Sequence, residues 1–265
     1  MKFGLIGHPI AHSLSPALFK AGYDGRYPYE LIETPDFEEA YTRFLKDYDG
    51  INVTAPFKEP AFAKADILSE ECKVTGAANI LVKTPEGVKA YNSDYLGVRL
   101  WLQETVPTNN CPTVLIVGCG GAGKAAAAAA ASLGMDVILM NRSIAKAEAV
   151  AESIRHMTGS VSILPIDDFR QTFRQANIVI YNIPCAISET HELIAEDFNP
   201  GHRKIILEAN YKNPSFDKTL LQKMSEANPL SEYISGRTWL LYQAVTGYEI
   251  FTGEKPDLSR MSDVL

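Results

Sequence analysis

Two side chains able to exchange a proton occupy comparable places in this chain. In GINVTAPFKEP, residues 50–60, Lys58 follows an apolar strand-like run and a proline and precedes a helical stretch. In AYNSDYLG, residues 90–97, Asp94 also follows a strand-like run and opens a helix. Helix-opening positions at strand ends of one α/β layer are expected to face a common crevice. There a lysine beside a carboxylate, partly screened from water, can orient its ammonium and exchange a proton with an oxygen held opposite. Burial lowers the pKa of such an amine and the carboxylate raises it, so the residues leave the net shift open. They leave an ordinary surface ion pair open as well. A third segment, HPIAHSLSPALF at residues 8–19, adds the hydroxyls of Ser13 and Ser15 just before Pro16. Ser15 as N-cap with Pro16 at the first helical position accounts for one of them. Two serines two apart beside a helix N-terminus also suit a small carboxylate. His8 and His12 are read as structural.

A second chemistry is written in GCGGAG, where Gly118, Gly120 and Gly123 have GxGxxG spacing, follow a strand-like run and open a helix. In that context Gly118 allows a tight turn, Gly120 lets phosphates approach the backbone, and Gly123 lets the helix sit close on the strand. The strand that follows ends in NRSIAK. Asn141, Arg142, Ser143 and Lys146 place donors and positive charge where an NAD enzyme usually carries a carboxylate for the ribose 2′-hydroxyl. An arginine fork suits a 2′-phosphate, so NADP is the expected cofactor. An exposed basic turn with no ligand is the alternative. A nicotinamide enzyme needs a proton donor for its carbonyl–alcohol interconversion, the task for which Lys58 and Asp94 are candidates.

The elements that must position these groups alternate along the first hundred residues. FGLIG, YPYELIE, GINVTA, AANILVKT and GVKAYN read as strands, and segments beginning at Pro16, Asp36, Lys58 and Asp94 read as helices. The pattern predicts an α/β layer with a mostly parallel sheet. A polar stretch with two prolines at residues 105–113 reads as a connection. Beyond it VLIVGCGGAGKAAAAAAASLGMDVILMNRS is a full βαβ unit, extended by strand-like runs in VSILPI, NIVIYNI and KIILEANY. The alanine run Ala125–Ala131 reads as a small-residue helix packed closely on its sheet. RTWLLYQAVTGYEIFTG reads as an amphipathic helix that closes back on the first domain, followed by a short tail.

Composition narrows the function classes. The 265 residues are 46% apolar and 22% charged, ordinary for a globular protein. A net charge of −7 with both signs interspersed argues against nucleic acid as partner. MKFGLIGHPI reads as a first strand rather than a signal peptide, and no apolar run approaches membrane-spanning length. Cys72, Cys111, Cys119 and Cys185 lack metal-ligand spacing, and the five histidines show no HExxH pattern. Reduced thiols in a cytoplasmic protein without a metal site are expected.

Taken together, GHPIAHSLSPALF, GINVTAPFKEPAF, GAANILV, YNSDYLGV, VGCGGAGKAA, NRSIAKAEAVA, EANYKNP and LLYQAVTGYEIFTGEKP resemble the shikimate dehydrogenase family, in order, from near the first residue to near residue 256. The resemblance implies reversible, NADP-linked reduction of 3-dehydroshikimate to shikimate in aromatic amino-acid biosynthesis. It implies an N-terminal α/β substrate domain (1–104), a Rossmann-like NADP-binding domain (105–236) and a C-terminal helix (237–265) returning to the first, with cofactor and substrate meeting in the cleft. By matching position Lys58 and Asp94 are the catalytic pair, and Ser13 and Ser15 hold the substrate carboxylate. Thr54, Asn79, Asp94, Tyr211 and Gln243 address its hydroxyls or ring. Gly118, Gly120, Gly121, Ala122 and Gly123, with Asn141, Arg142, Ser143 and Lys146, hold NADP. Gly236 falls where the nicotinamide approaches the backbone, and Glu70 at an acidic cleft position. The implied partner is a small molecule, on a monomer or homodimer.

Four departures stand out. Tyr95 replaces the glycine of NTDG, and Ile183 replaces a small hydroxylated residue. Lys146 replaces an arginine and loses its bidentate geometry. Arg237, Thr238 and Trp239 replace smaller or more apolar residues. A quinate or quinate/shikimate dehydrogenase is the neighbouring alternative, since the substrates differ by one hydroxyl and by saturation. A catalytically idle dinucleotide sensor and a reductase of another metabolite are more distant ones.

Overall fold

A computed structural model of the chain describes residues 1–107, 111–198 and 201–265, so the expected connection at 105–113 falls partly outside the described residues. The chain forms two α/β units, residues 1–97 with 240–265, and residues 98–239.

In the first unit the elements run β1 (Phe3–Gly7), α1 (Ser15–Tyr23), β2 (Tyr29–Glu33), α2 (Phe37–Asp47), β3 (Gly50–Val53), α3 (Lys58–Lys64), β4 (Ile67–Leu68), α4 (Glu70–Thr75), β5 (Ile80–Thr84), β6 (Gly87–Tyr91) and α5 (Ser93–Thr105). The sheet order is β2-β1-β3-β5-β6-β4. β1 is parallel to β2 and β3, and β4 to β6, whereas β5 runs against both its neighbours. The period-2 alternation of β1 sends Phe3 and Ile6 to opposite faces. Ile6 joins Ile32, Phe44, Ile51, Val53 and Phe57, and Phe3 joins Leu18, Phe19 and Tyr23. The short β4 and α4 were not legible in the residue pattern, being too brief to show a period.

The second unit contains β7 (Thr113–Val117), α6 (Gly121–Ser132), β8 (Asp136–Met140), α7 (Ile144–Ile154), β9 (Val161–Leu164), α8 (Phe169–Gln175), β10 (Ile178–Tyr181), α9 (Ser188–His191), β11 (Ile205–Glu208), α10 (Lys218–Ala227) and β12 (Glu232–Ser235). All six strands are parallel, in the order β12-β11-β10-β7-β8-β9. The order reverses between β7 and β10, which opens a crevice at their carboxyl ends. Strand β12, which the residue pattern did not reveal, extends that sheet. All seven alanines of the run in α6 are buried, as close helix–sheet packing requires.

The division of the chain falls inside two helices, α5 and α11 (Gly236–Thr252), and α12 (Leu258–Ser262) lies in the tail. Along α11, Leu241, Ala244, Tyr248 and Phe251 recur at intervals of three and four and bury against the Phe3 face of the first sheet. Phe251 stacks on Phe3 at 4.9 Å between ring centroids. The last helix thus returns to the first unit.

Lys204 is fully buried just ahead of β11. Its ammonium donates to the carbonyls of Phe173 and Ala176, each at 2.5 Å, and lies 4.8 Å from the centre of the Phe173 ring. The cation therefore closes the carboxyl end of α8, where free carbonyls attract positive charge. Burial nevertheless pushes its pKa down to about 8 from the ordinary 10.5. Between those values the unfolded chain still holds a proton that the folded chain has released, so folding stability rises with pH through that window. Below it both states are protonated and the penalty is constant. Chemical denaturation should show Lys204→Met losing a stability gain of roughly 3 kcal/mol between neutral pH and the top of the window. Parallel pH profiles for the two proteins would refute this.

Candidate active site

The directions of the strands bring the polar residues of the first unit to one edge. β3 and β6 both run parallel to β1, and β5 runs against them, so the carboxyl ends of β1, β3 and β6 and the start of β5 share that edge. Asn79 sits there at the start of β5, its carbonyl accepting from Val53 N–H at 2.8 Å and its N–H donating to Tyr91 at 3.0 Å. Thr54 follows β3, its N–H donating to the Ile6 carbonyl at 2.9 Å. A Cβ on Gly7 would lie 2.4 Å from the Thr54 methyl, so only glycine lets β1 and this turn come so close. Phe57 buries beneath the turn against Phe37, and Lys58 opens α3 directly after it.

The Lys58 ammonium donates to Asp94 Oδ2 at 2.5 Å. The aspartate side chain is only 8% exposed and the lysine 31%, so the contact is half-screened from water with the cation on the wetter side. Two asparagines fix the first turn of α5 on which Asp94 sits. Asn79 Oδ1 accepts from Ser93 N–H at 2.7 Å, and Asn92 Oδ1 from Tyr95 N–H at 3.2 Å. Asn92 is itself held by its amide, which donates to Thr75 Oγ1 and the Ala77 carbonyl, each at 3.0 Å. Asn92 was missed among the candidate residues, although its place ahead of a helix start is an N-cap signal.

Ser13 and Ser15 come together, Oγ to Oγ at 3.1 Å, with Ser15 N–H donating to Ser13 Oγ at 3.2 Å. Ser15 is not the N-cap that was expected. Leu14 holds that place and Ser15 is already helical, because the Ser13 hydroxyl two residues earlier takes the Ser15 N–H. Gln243, on α11, lies in the same unit, where its backbone crosses α5 so closely that a Cβ on Gly97 would be 2.6 Å from its nitrogen. Tyr95 is buried at the start of α5. Glu70 opens α4, is 86% exposed on its side chain and pairs with Lys73 at 2.6 Å. It belongs to the first unit, whereas the glycine turn belongs to the second.

In the second unit Gly118 has φ +92°, a conformation costly to other residues, and turns the chain out of β7. A Cβ on Gly123 would sit 1.8 Å from the Gly118 carbonyl, so α6 can start only on glycine. At Gly120 and Gly121 a Cβ would meet no heavy atom within 4 Å, which leaves the first turn of α6 open beside them. Ala122 is half-buried in that same turn. The Asn141 side chain ties this turn to the end of β8, accepting from Cys119 N–H at 3.1 Å and donating to the Ser143 carbonyl at 2.9 Å. Arg142, Ser143 and Lys146 are exposed at the start of α7. Among the described residues no carboxylate is in ion-pair range of Arg142 or Lys146. An open helix start beside two uncommitted cations fits a dinucleotide with a 2′-phosphate.

Tyr211 follows β11 in a loop anchored by the buried Glu208 carboxylate. That carboxylate accepts from Ser215 N–H, from Phe216 N–H at 3.3 Å and from the Tyr233 hydroxyl at 2.8 Å. The Arg237 guanidinium lies 6.0 Å from the centre of the Tyr211 ring. Gly236 begins α11 within 2.1 Å, by Cβ position, of the Ala209 carbonyl. Ile183 packs beside Gly118, and Trp239 is buried. Asn182, next to Ile183, has a buried Oδ1 behind the glycine turn that finds no hydrogen-bond partner among the described residues, a feature the residue pattern does not single out. Among the described residues no cluster of His, Cys, Asp and Glu that could hold a metal is found, and no helix is long and apolar enough to cross a membrane.

Comparison with known proteins adds to this geometry. A family model described as shikimate dehydrogenase substrate binding domain matches residues 5–81, and one described as shikimate / quinate 5-dehydrogenase matches residues 102–203. The shikimate dehydrogenase (NADP(+)) of Haloarcula marismortui is 31% identical over 98% of this chain and 96% of its own length. That of Pyrococcus furiosus is 30% identical over 99% and 94%. The structure of Thermus thermophilus shikimate 5-dehydrogenase, in complex with NADP(H) and shikimate, superposes with a TM-score of 0.81 at 25% identity, covering 100% of this chain and 98% of that one. A Corynebacterium glutamicum quinate dehydrogenase in complex with NAD has the same fold, with a TM-score of 0.83 at 23% identity and coverage of 100% and 98%.

Fold, site and relatives define the class as an NADP-dependent oxidoreductase acting on a CH–OH group. The chain belongs to the shikimate dehydrogenase family. Replacing Arg142 with glutamine should raise the Kd for NADPH about tenfold or more, the scale of a lost charge-assisted bond, while the Kd for NADH moves less than about twofold. Fluorescence titration of both nucleotides would reveal equal losses if the basic turn does not read the 2′-phosphate.

Proposed function

We propose that this chain interconverts 3-dehydroshikimate and shikimate with NADP, and that Lys58 supplies the proton to the ring oxygen as the carbonyl is reduced. The observation that carries the assignment is the Lys58–Asp94 contact at the polar edge of the first sheet. Asp94 accepts one ammonium hydrogen and fixes the direction of the others, one of which is available to the ring oxygen. Ser13 and Ser15, beside the start of α1, hold the substrate carboxylate through their hydroxyls and the positive helix end. Thr54, Asn79 and Gln243 address the hydroxyls at the same edge, and Tyr211 the ring. In the reverse direction Lys58 receives the alcohol proton.

NADPH, when bound, supplies the hydride. The glycine turn at 118–123 would take its pyrophosphate on the N–H groups of α6. Asn141 shapes that turn, and Arg142, Ser143 and Lys146 would take the 2′-phosphate. Gly236, where any side chain would collide with the Ala209 carbonyl, is the position at which the nicotinamide would approach the backbone. Glu70 is the weakest of the proposed cofactor contacts, since its carboxylate is already paired with Lys73. The reaction is a step of aromatic amino-acid biosynthesis. Four free thiols suit a reducing compartment, and we assign the enzyme to the cytoplasm.

A quinate activity stands as the second reading, because the matching model covers both substrates and a bulky residue, Tyr95, directly follows Asp94 in the sequence. Relative kcat/KM on shikimate and quinate, with each nucleotide, decides between them, and higher efficiency on quinate would reverse the assignment. Lys58→Ala should lower kcat by about 10²–10⁴-fold, the range for a lost general acid or base, with shikimate KM changed only a few-fold. Undiminished turnover would remove Lys58 from the mechanism.

A further inference from the structure

We infer that Tyr248, on the C-terminal helix, is a positioning residue for substrate-carboxylate binding. The inference deepens the proposed function and rests on its reading of Ser13 and Ser15 as the carboxylate clamp. The Tyr248 hydroxyl donates to the Ser15 carbonyl at 3.1 Å across 233 residues of sequence. Its ring is almost fully buried, edge-on to Phe19 at 4.7 Å, beside Tyr29 at 6.0 Å and stacked near Phe251 at 6.5 Å. Neighbours on several sides fix the ring, so the hydroxyl is a fixed point against which the serine backbone rests.

The core requires only the ring. A phenylalanine would fill nearly the same volume, whereas a buried hydroxyl is unfavourable unless bonded. The bond it makes goes to the segment whose two hydroxyls are already linked. Ser13 accepts the Ser15 N–H and turns its own hydrogen to Ser15 Oγ, so the spacing of the pair follows the Ser15 backbone. Holding the Ser15 carbonyl therefore holds both hydroxyls. Tyr29 stands on the other side of this wall, its hydroxyl donating to Asn52 Oδ1 at 2.8 Å. Burial raises the pKa of both phenols, with the neighbouring Ser15 side chain acting in the opposite direction, which keeps Tyr248 a donor across the working pH range. The same helix carries Gln243, whose backbone lies against Gly97 of α5 and which the proposed function assigns to the substrate hydroxyls, so α11 would serve the substrate site by contact at one turn and by bracing at a later one.

A double-mutant cycle tests this. Tyr248→Phe is expected to raise KM for shikimate about fivefold, the loss of one neutral hydrogen bond, with kcat and the KM for NADP unchanged within about twofold. In a Ser13→Ala/Ser15→Ala background, which should itself raise KM, adding Tyr248→Phe is expected to change KM no further. Titration calorimetry of shikimate separates positioning from misfolding, since positioning weakens Kd at unchanged stoichiometry. An unchanged KM in Tyr248→Phe, a lowered binding stoichiometry without a change in Kd, or the same increment in the alanine background each overturns the inference. A serine double variant that binds shikimate like the parent instead defeats the carboxylate reading, and that result is seen before Tyr248 is altered.

Discussion

The short contact between the Lys58 ammonium and the Asp94 carboxylate depends on strand direction. Both residues open helices, and helix starts meet only when the strands feeding them end on the same edge. The sheet achieves this by running β3 and β6 parallel to one another with β5 reversed between them. The reversal also brings the first residue before β5, Asn79, to the edge where its neighbours finish. One side chain there then accepts from the backbone of α5 while its own backbone joins β3 to the end of β6. Phe57, directly before Lys58, is buried, and two asparagines hold the helix turn that carries Asp94. The half-buried ion pair is thus set in a frame that already orients it, and the ammonium is the more exposed partner.

The nucleotide-binding unit solves a different problem, that of leaving room. Its turn after β7 is bounded by positions that disfavour a side chain, Gly118 by its positive φ and Gly123 by contact with the Gly118 carbonyl, and opens at Gly120 and Gly121, where among the described residues a Cβ would meet nothing within 4 Å. Asn141 uses its side chain for the architecture of the two strand ends, which leaves Arg142 and Lys146 as the cations available to an anion. The division of labour explains why a run of mixed polar residues follows β8, where only part of the run is aimed outward.

Four buried polar side chains are paired with backbone. Lys204 closes a helix end, Glu208 gathers the loop bearing Tyr211, Asn92 caps α5, and Tyr248 meets the Ser15 carbonyl. Lys204 and Tyr248 reach segments 31 and 233 residues away, and Asn92 and Glu208 also bond to the distant Thr75 and Tyr233, so each fixes its segment at the expense of burying a polar atom that must stay bonded. Apart from the helix-start position of Asn92, such bonds lie outside the reach of local pattern, because they depend on which distant segment packs against the residue.

From sequence alone, the glycine turn, the basic residues after β8, the parallel α/β character and the helix starts carrying Lys58 and Asp94 were all legible. Their causes are local: a missing Cβ, a charge, a period of apolar residues, a proline near a helix start. The reversed direction of β5, the short β4 and α4, the edge strand β12, the place of Asn92 and the non-capping role of Ser15 required the tertiary structure. Strand direction and hydrogen-bond partners are decided by which distant segments bury together. Sequence supplied the groups able to move a proton and bind a phosphate. Packing alone decided that Lys58 and Asp94 touch, because the burial of Phe57 and the register of β3, β5 and β6 set their separation, and no spacing along the chain encodes a distance across a sheet.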